Sequence, residues 1–229
     1  TMMVTMPGLP LLGHGQVEGL TEKYGMEYRK AYWDEPVDGF LVKRHEAEIF
    51  PLMKRRALFS DVANFELYDF YLENGRVNED VFAYSNRYGN DRALVFYHNR
   101  YRATAGWIRL SAARVEKSGG GGKQLRRTDL ASGLGIRGEA GDYCVFKDLR
   151  SGLEFIRSSR GLKKKGFRIS LNAYQTCVFT DFREVRDDSR GLLRQLERLL
   201  QGRGVRNINE AVRKIRFASL HRSFRGVFN

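Results

Sequence analysis

Eight short segments rich in β-branched and aromatic residues follow one another in the middle of the chain. They span residues 65–71, 81–87, 93–98, 106–110, 142–148, 153–156, 167–171 and 176–182. Such segments favour β-strands when turn-forming residues separate them. Gly89, Asn90 and Asp91 stand between two apolar runs and predict a β-hairpin over residues 84–96. The spacing therefore predicts an antiparallel β-sandwich.

Helical periodicity flanks these segments on both sides. Between residues 40 and 59 apolar residues recur at near-helical spacing, and Pro51 predicts a kink or a restart of the helix with proline in its first turn. Residues 192–200 carry one leucine stripe, after which Gly202 and Gly204 break the pattern. A last helix is expected to begin at Asn207 or Asn209 as its cap. The chain is thus predicted to be α+β.

A glycine-rich stretch interrupts the predicted strands. Four consecutive glycines fall within residues 118–123, and residues 111–140 contain few strand-forming residues. We expect a long flexible insertion at residues 111–140 of the β-domain. No Lys-Ser/Thr pair follows the glycines, so a phosphate-binding loop is not predicted.

The net charge of +13 is confined to the second half of the chain. Residues 1–113 contain 14 Lys and Arg against 15 Asp and Glu, whereas residues 114–229 contain 26 against 12. Basic charge favours contact with nucleic acid or an acidic surface. The densest cluster is Lys163–Lys165 with Arg157, Arg160 and Arg168, and we interpret it as a solvated hairpin tip. Nucleic acid is not the expected partner, because no recognised DNA- or RNA-binding motif accompanies the cluster.

Other classes of protein are disfavoured by what the sequence contains. No segment has the roughly 18 apolar residues of a membrane span, so we expect a soluble chain with no membrane partner. Cys144 and Cys177 are too few for a disulfide scaffold. No Cys and His spacing suits a metal site, and no cofactor is expected. The first residue is Thr1, from which we expect a chain cut from a longer one; no localisation follows.

The segment Thr5-Met6-Pro7-Gly8-Leu9-Pro10-Leu11-Leu12-Gly13-His14-Gly15 carries the most specific pattern. It resembles the eighth barrel strand and following loop of the α-amylase superfamily of glycoside hydrolases, where a Pro-Gly-X-Pro turn leads into a hydrophobic strand and then glycine. The runs at 80–85 and 94–99, the second ending in Asn99, look like the first strands of that family's C-terminal sandwich. The resemblance covers about residues 2–182 and is closest over 5–59.

This resemblance implies three parts. Residues 1–60 would be the end of a (β/α)8 barrel, with a buried strand within residues 2–12, a loop and the last helix. Residues 61–185 would be the β-sandwich, and residues 186–229 a helical extension. The implied partners are an α-glucan or oligosaccharide and the remainder of the barrel. The chain would be the C-terminal portion of an α-amylase-like hydrolase or glucanotransferase.

The catalytic carboxylates of the family lie on earlier barrel strands, to which no segment of this chain corresponds. A retaining glycosidase needs two carboxyl groups about 5 Å apart, so no catalytic residue is assigned and the chain alone is expected to be inactive. Gln16 and Val17 also stand where many members have acidic residues. The resemblance leaves a substrate-binding set in the loop: His14, Gln16, Glu18, Tyr24, Tyr28 and Trp33.

Two alternatives stay open at this point. In the first, the loop aromatics only pack the loop against the barrel. His45 is interpreted as a packing or surface residue. For the whole chain, the alternative function is a non-enzymatic basic module that contacts nucleic acid or an acidic protein.

Overall fold

The computed structural model describes residues 1–22, 29–117 and 123–217, and the chain divides into two compact units, Thr1–Ala63 and Asn64–Asn229. Helix makes up much of the first unit: α1 spans Met2–Thr5, α2 Gly39–Glu48, α3 Phe50–Met53 and α4 Arg56–Phe59. Asp38 caps α2 by accepting hydrogen bonds from the backbone N–H groups of Phe40 and Leu41, both 3.0 Å. The helix ends at Glu48 and restarts with Pro51 in the first turn of α3, which confirms the predicted restart.

The strand expected within residues 2–12 is wrong. Residues 2–5 are helical and residues 6–12 are not paired with any strand of the described chain. The physical reason is that a strand needs a neighbour for its N–H and C=O groups, and Pro7 and Pro10 have no N–H to offer. Arg56 instead holds this segment, donating to the carbonyls of Val4 at 2.9 Å and Gly8 at 2.5 Å.

The second unit is built on antiparallel strands. They are β1 Glu66–Tyr68, β2 Val81–Tyr88, β3 Asp91–His98, β4 Thr104–Ile108, β5 Arg114–Lys117, β6 Lys123–Arg126, β7 Asp142–Asp148, β8 Glu154–Ser158, β9 Phe167–Leu171 and β10 Thr176–Arg186. Six of them form one sheet in the order β1-β2-β3-β10-β7-β8, while β4–β9 and β5–β6 form two-stranded sheets. The predicted hairpin is confirmed as β2–β3, paired from Val81–His98 to Tyr88–Asp91.

Four helices complete this unit: α5 Leu130–Gly133, α6 Ser159–Lys165, α7 Leu192–Leu200 and α8 Ile208–Arg216. Successive residues of β7 point to opposite faces of the sheet. Cys144 and Phe146 join a core with β4, β9, α5 and α6, whereas Tyr143 and Val145 join a second core with α7 and α8. The described fold is therefore α+β with a sandwich-like packing of sheets, and helices cover the other face of β7.

The insertion expected at residues 111–140 is more ordered than predicted. Its four consecutive glycines, at 119–122, lie outside the described residues, but β5 and β6 flank them and α5 follows. Leu130, Ala131 and Leu134 are fully buried in the core. The prediction of a flexible stretch is wrong for these residues because a short apolar run can be buried without any strand-like or long helical period.

Candidate functional site

The loop of the first unit contains the predicted substrate-binding residues that the structure describes. His14, Gln16 and Glu18 lie in consecutive turns over residues 14–19. The side-chain oxygen of Gln16 accepts a hydrogen bond from the N–H of Gly13 at 3.0 Å. The ring of His45 lies 3.2 Å from the carbonyl of Val17, so His45 packs this loop against α2. Tyr24 and Tyr28 lie outside the described residues.

Two glutamates organise the next part of the loop. The carboxylate of Glu35 accepts hydrogen bonds from the N–H of Thr21 at 3.0 Å, from the Thr21 hydroxyl and from the N–H of Glu22 at 2.9 Å. These donors, with the Thr21 hydroxyl contributing most, hold the pKa of Glu35 below its usual value. The carboxylate of Glu22 in turn accepts from the N–H of Tyr32 at 2.8 Å and of Trp33 at 3.1 Å.

This arrangement leaves aromatic side chains in solvent. Trp33 is 62% exposed and Tyr32 75% exposed, although their backbone is fixed by Glu22. Trp33 belongs to the hydrogen-bonded group around Glu22 and Glu35, while His14, Gln16 and Glu18 belong to the turns before it. The loop thus offers imidazole, amide, carboxylate and indole groups, which suit binding of a polar ligand with a flat face.

The geometry around Glu35 does not suit a general acid. A retaining glycosidase needs a carboxylic acid whose pKa is raised so that it stays protonated. Glu35 has the opposite shift because its oxygens accept N–H and O–H donors. Glu35 is therefore an ionised structural carboxylate that shapes the loop.

A second candidate site lies in the β unit, and it was not predicted from the sequence. A groove with a volume of about 1080 Å³ opens between β8, α6, β9 and the connection from α7 to α8; we call it the β-domain groove. Phe155, Phe167, Phe179 and Trp107 are among its aromatic lining residues. The charged residues among its described lining are four cations and two acids: Arg157, Lys165, Arg168, Arg203, Asp148 and Glu197.

Three members of the basic cluster, Arg157, Lys165 and Arg168, line this groove. The cluster is not the hairpin tip that the sequence predicted. Lys163–Lys165 form the last turn of α6, whose N-terminus is capped by Ser158 through the N–H of Gly161 at 3.2 Å. Arg157 precedes the helix on β8, and Arg168 follows it on β9. The run of charges was the one signal for the groove in the sequence, because Phe155, Phe167 and Phe179 stand on three separate strands and form no local pattern.

Arg157 is the most enclosed of these cations. Its guanidinium donates to the carbonyls of Ile156 at 2.9 Å and Gly202 at 3.2 Å, and it lies 5.6 Å from the centre of the Phe167 ring. Burial lowers the pKa of Arg157. The side chain therefore positions the connection from α7 to α8 against β8 and adds positive charge to the groove.

The cysteines do not provide a nucleophile. Cys144 and Cys177 are both buried free thiols. Burial raises the pKa of Cys144 to about 12 and that of Cys177 to about 11. A thiol is reactive as its thiolate, so Cys177 contributes to the groove as a small apolar side chain.

Much of the basic charge of the second half is matched by acidic neighbours. Several arginines form ion pairs within the β unit: Arg114–Glu66 at 2.9 Å, Arg126–Glu116 at 3.0 Å, Arg183–Glu154 at 3.0 Å, Arg137–Glu184 at 3.6 Å, Arg186–Asp142 at 3.7 Å, and Arg168–Glu73. These pairs are scattered over several strands. Part of the positive charge of this unit is therefore compensated within it.

Two searches of the described residues find no special site. No group of three or more His, Cys, Asp or Glu residues there is arranged to hold a metal ion. No helix in that part of the chain is long and apolar enough to cross a membrane.

Together these features define an α+β chain with a polar, aromatic loop in its first unit and a basic groove in its antiparallel β unit. No protein-family model matches the chain, and no curated protein matches it.

Proposed function

We propose that this chain is the C-terminal portion of an α-amylase-like glycoside hydrolase or glucanotransferase that acts on α-glucans, and that it lacks the catalytic carboxylates itself. The observation that carries the proposal is the order of the two units. A helical unit with a long polar loop comes first, and an antiparallel β unit follows. The resemblance implies the same order, with the end of a barrel before a C-terminal sandwich.

The N-terminal segment supports this proposal through its exposed side chains. Leu9 is 92% exposed and Leu11 80% exposed, although leucine is usually buried. Side chains of this kind are explained if residues 7–12 are covered by the remainder of a barrel. In that setting the segment would pack against the rest of the barrel, with its glycines leading into the loop at the carboxyl end of the barrel, where barrel active sites lie.

The loop would then supply substrate contacts. His14, Gln16 and Glu18 would hydrogen-bond sugar hydroxyls, and Trp33 would stack on a sugar ring, together with Tyr24 and Tyr28. The role of Glu22 and Glu35 would be to hold the backbone that carries Trp33. The β unit would cover and brace the barrel.

Binding of maltoheptaose tests the proposal. We expect saturable binding by calorimetry, weakened at least about tenfold by Trp33→Ala, since an exposed tryptophan in a binding site commonly contributes this much. The matched control is Tyr101→Ala, because Tyr101 is an aromatic residue of the β unit that is 85% exposed. Absence of saturable binding, or equal losses in the two variants, would contradict the proposal.

The alternative, a basic module for nucleic acid or an acidic protein, has less support. The ion pairs of Arg114, Arg126, Arg137, Arg183 and Arg186 divide the charge among several strands. A nucleic-acid site needs cations aligned with successive phosphates. Binding of a single-stranded oligonucleotide that falls steeply with added salt would favour the alternative.

A further inference from the structure

We propose that the β-domain groove is a binding site for a small organic anion, one with a flat apolar body and a carboxylate, sulfonate or phosphate group. The inference concerns the second unit alone. It is independent of glucan binding by the loop, so either proposal can fail without the other.

The volume of the groove and its aromatic lining suit the binding of a ligand. Its volume of about 1080 Å³ is at the upper end of ordinary ligand sites. The rings of Phe155 and Phe167 lie 5.6 Å and 5.4 Å from that of Phe179, centre to centre. Phe155, Ile169 and Trp107 are only half-buried, so apolar surface remains for a flat ligand to cover. Burial of that surface would drive binding.

The charge of the groove selects an anion. Both of its acids are engaged by backbone N–H groups: Glu197 accepts from the N–H of Ser158 at 2.7 Å, and Asp148 from that of Ser151 at 2.9 Å. Arg157 and Arg203 donate to neutral carbonyl oxygens. Glu197 attracts Arg157, and Arg168 is paired with Glu73 outside the lining. With Glu73 included, four cations stand against three acids, so the site keeps a net positive charge, and a concave wall concentrates such a field.

Lys165 provides the best single test of that charge. It is exposed at the end of α6 and lines the groove. Its neighbour Lys164 is equally basic and exposed on the same helix but does not line the groove. Lys165→Gln and Lys164→Gln thus remove the same charge from adjacent positions, one inside the site and one outside it.

The experiment uses two dyes that share one ring system. 8-Anilinonaphthalene-1-sulfonate carries an anionic group, and N-phenyl-1-naphthylamine does not. The background is Trp33→Phe, which leaves Trp107 at the groove as the sole tryptophan. We expect saturable binding of the sulfonate with energy transfer from Trp107, and weaker binding of the neutral dye. Lys165→Gln should weaken binding of the sulfonate about fivefold, as for a partly exposed ion pair, and Lys164→Gln should leave it unchanged.

Several results would overturn the inference. These are equal effects of the two lysine variants, equal affinity for the two dyes, or sulfonate binding without energy transfer from Trp107. Near-ultraviolet circular dichroism of each variant checks that the fold is retained, which is expected because both lysines are exposed.

Discussion

The two units of this chain order their backbone by different means. In Thr1–Ala63 the long loop is held by carboxylates, with Glu22 and Glu35 accepting N–H groups from distant parts of the loop. In Asn64–Asn229 order comes from a core of buried aromatic rings around Phe146. Bonds from a carboxylate to the backbone fix a local conformation and depend on pH, whereas a packed core is cooperative and insensitive to the state of any one acid.

The largest effect is expected in the aromatic core. Phe146 is fully buried and lies 5.1–5.8 Å from the rings of Phe155, Phe167, Phe179 and Phe182. Phe146→Ala should lower the free energy of unfolding by about 3–5 kcal/mol, because it leaves a cavity as well as losing burial. Urea unfolding followed by tryptophan fluorescence measures this.

The control for the core lies in the other unit. Phe40 is 80% exposed on α2, and Phe40→Ala should change the free energy of unfolding by less than about 0.5 kcal/mol. If Phe146→Ala cost no more than Phe40→Ala, the described contrast between the units would be wrong.

A second test asks whether the close packing of the β unit includes its backbone. Gly166 has φ of +78° and a Cβ there would lie 1.9 Å from the carbonyl oxygen of Ile108. Gly141 has φ of +85° with open space around it. Gly166→Ala should therefore cost about 2–5 kcal/mol in unfolding free energy, from backbone strain and overpacking together. Gly141→Ala should cost about 1–2 kcal/mol, from strain alone.

Thermal unfolding of these two variants separates the cost of overpacking from the cost of backbone strain. Equal losses would mean that the chain at Gly166 can move away from Ile108, and that the packing there is loose.

The β unit was also the more predictable one from sequence. The predicted bounds 142–148 and 167–171 coincide with β7 and β9, because each of these strands has its partners within the chain and turn residues on both sides. The segment at residues 2–12 has the apolar character of a strand, but no described strand pairs with it. A local pattern predicts what a segment can form, and pairing decides whether it forms.

The candidate sites likewise depend on contacts that a local sequence pattern does not reveal. A motif predicted the loop residues as a site: His14, Gln16, Glu18 and Trp33. The motif did not predict how exposed their side chains are. The β-domain groove could not be predicted, because its walls come from residues 107 to 203. Phe155, Phe167 and Phe179 come together only in the folded unit, where β8 and β10 belong to the six-stranded sheet and β9 pairs with β4.

A smaller effect is expected where the β unit uses a side chain to hold backbone. The side-chain oxygen of Asn207 accepts a hydrogen bond from the N–H of Glu210 at 3.0 Å and caps α8. Of the two candidates in the sequence, Asn207 and Asn209, the cap is therefore Asn207. Asn207→Ala should lower the free energy of unfolding by about 1 kcal/mol. Asn209→Ala, two residues along and exposed, should have almost no effect. A loss at Asn209 as large as at Asn207 would contradict the assigned cap.

The smallest and most local effect is expected at Glu35. Hydrogen bonds from Thr21 and Glu22 lower its pKa, so its contribution to loop order is complete above the usual glutamate value of about 4.3 and is lost as pH falls through the lowered pKa. Amide-exchange protection at Thr21 and Glu22 should therefore fall in acid, while that at Leu94 in the β core persists. Glu35→Gln should remove the pH dependence of this protection, and Glu46→Gln, on an exposed position of α2, should keep it. Protection at Thr21 that stays constant as Glu35 is protonated would show that the loop, like the β unit, is ordered by packing and not by its carboxylates.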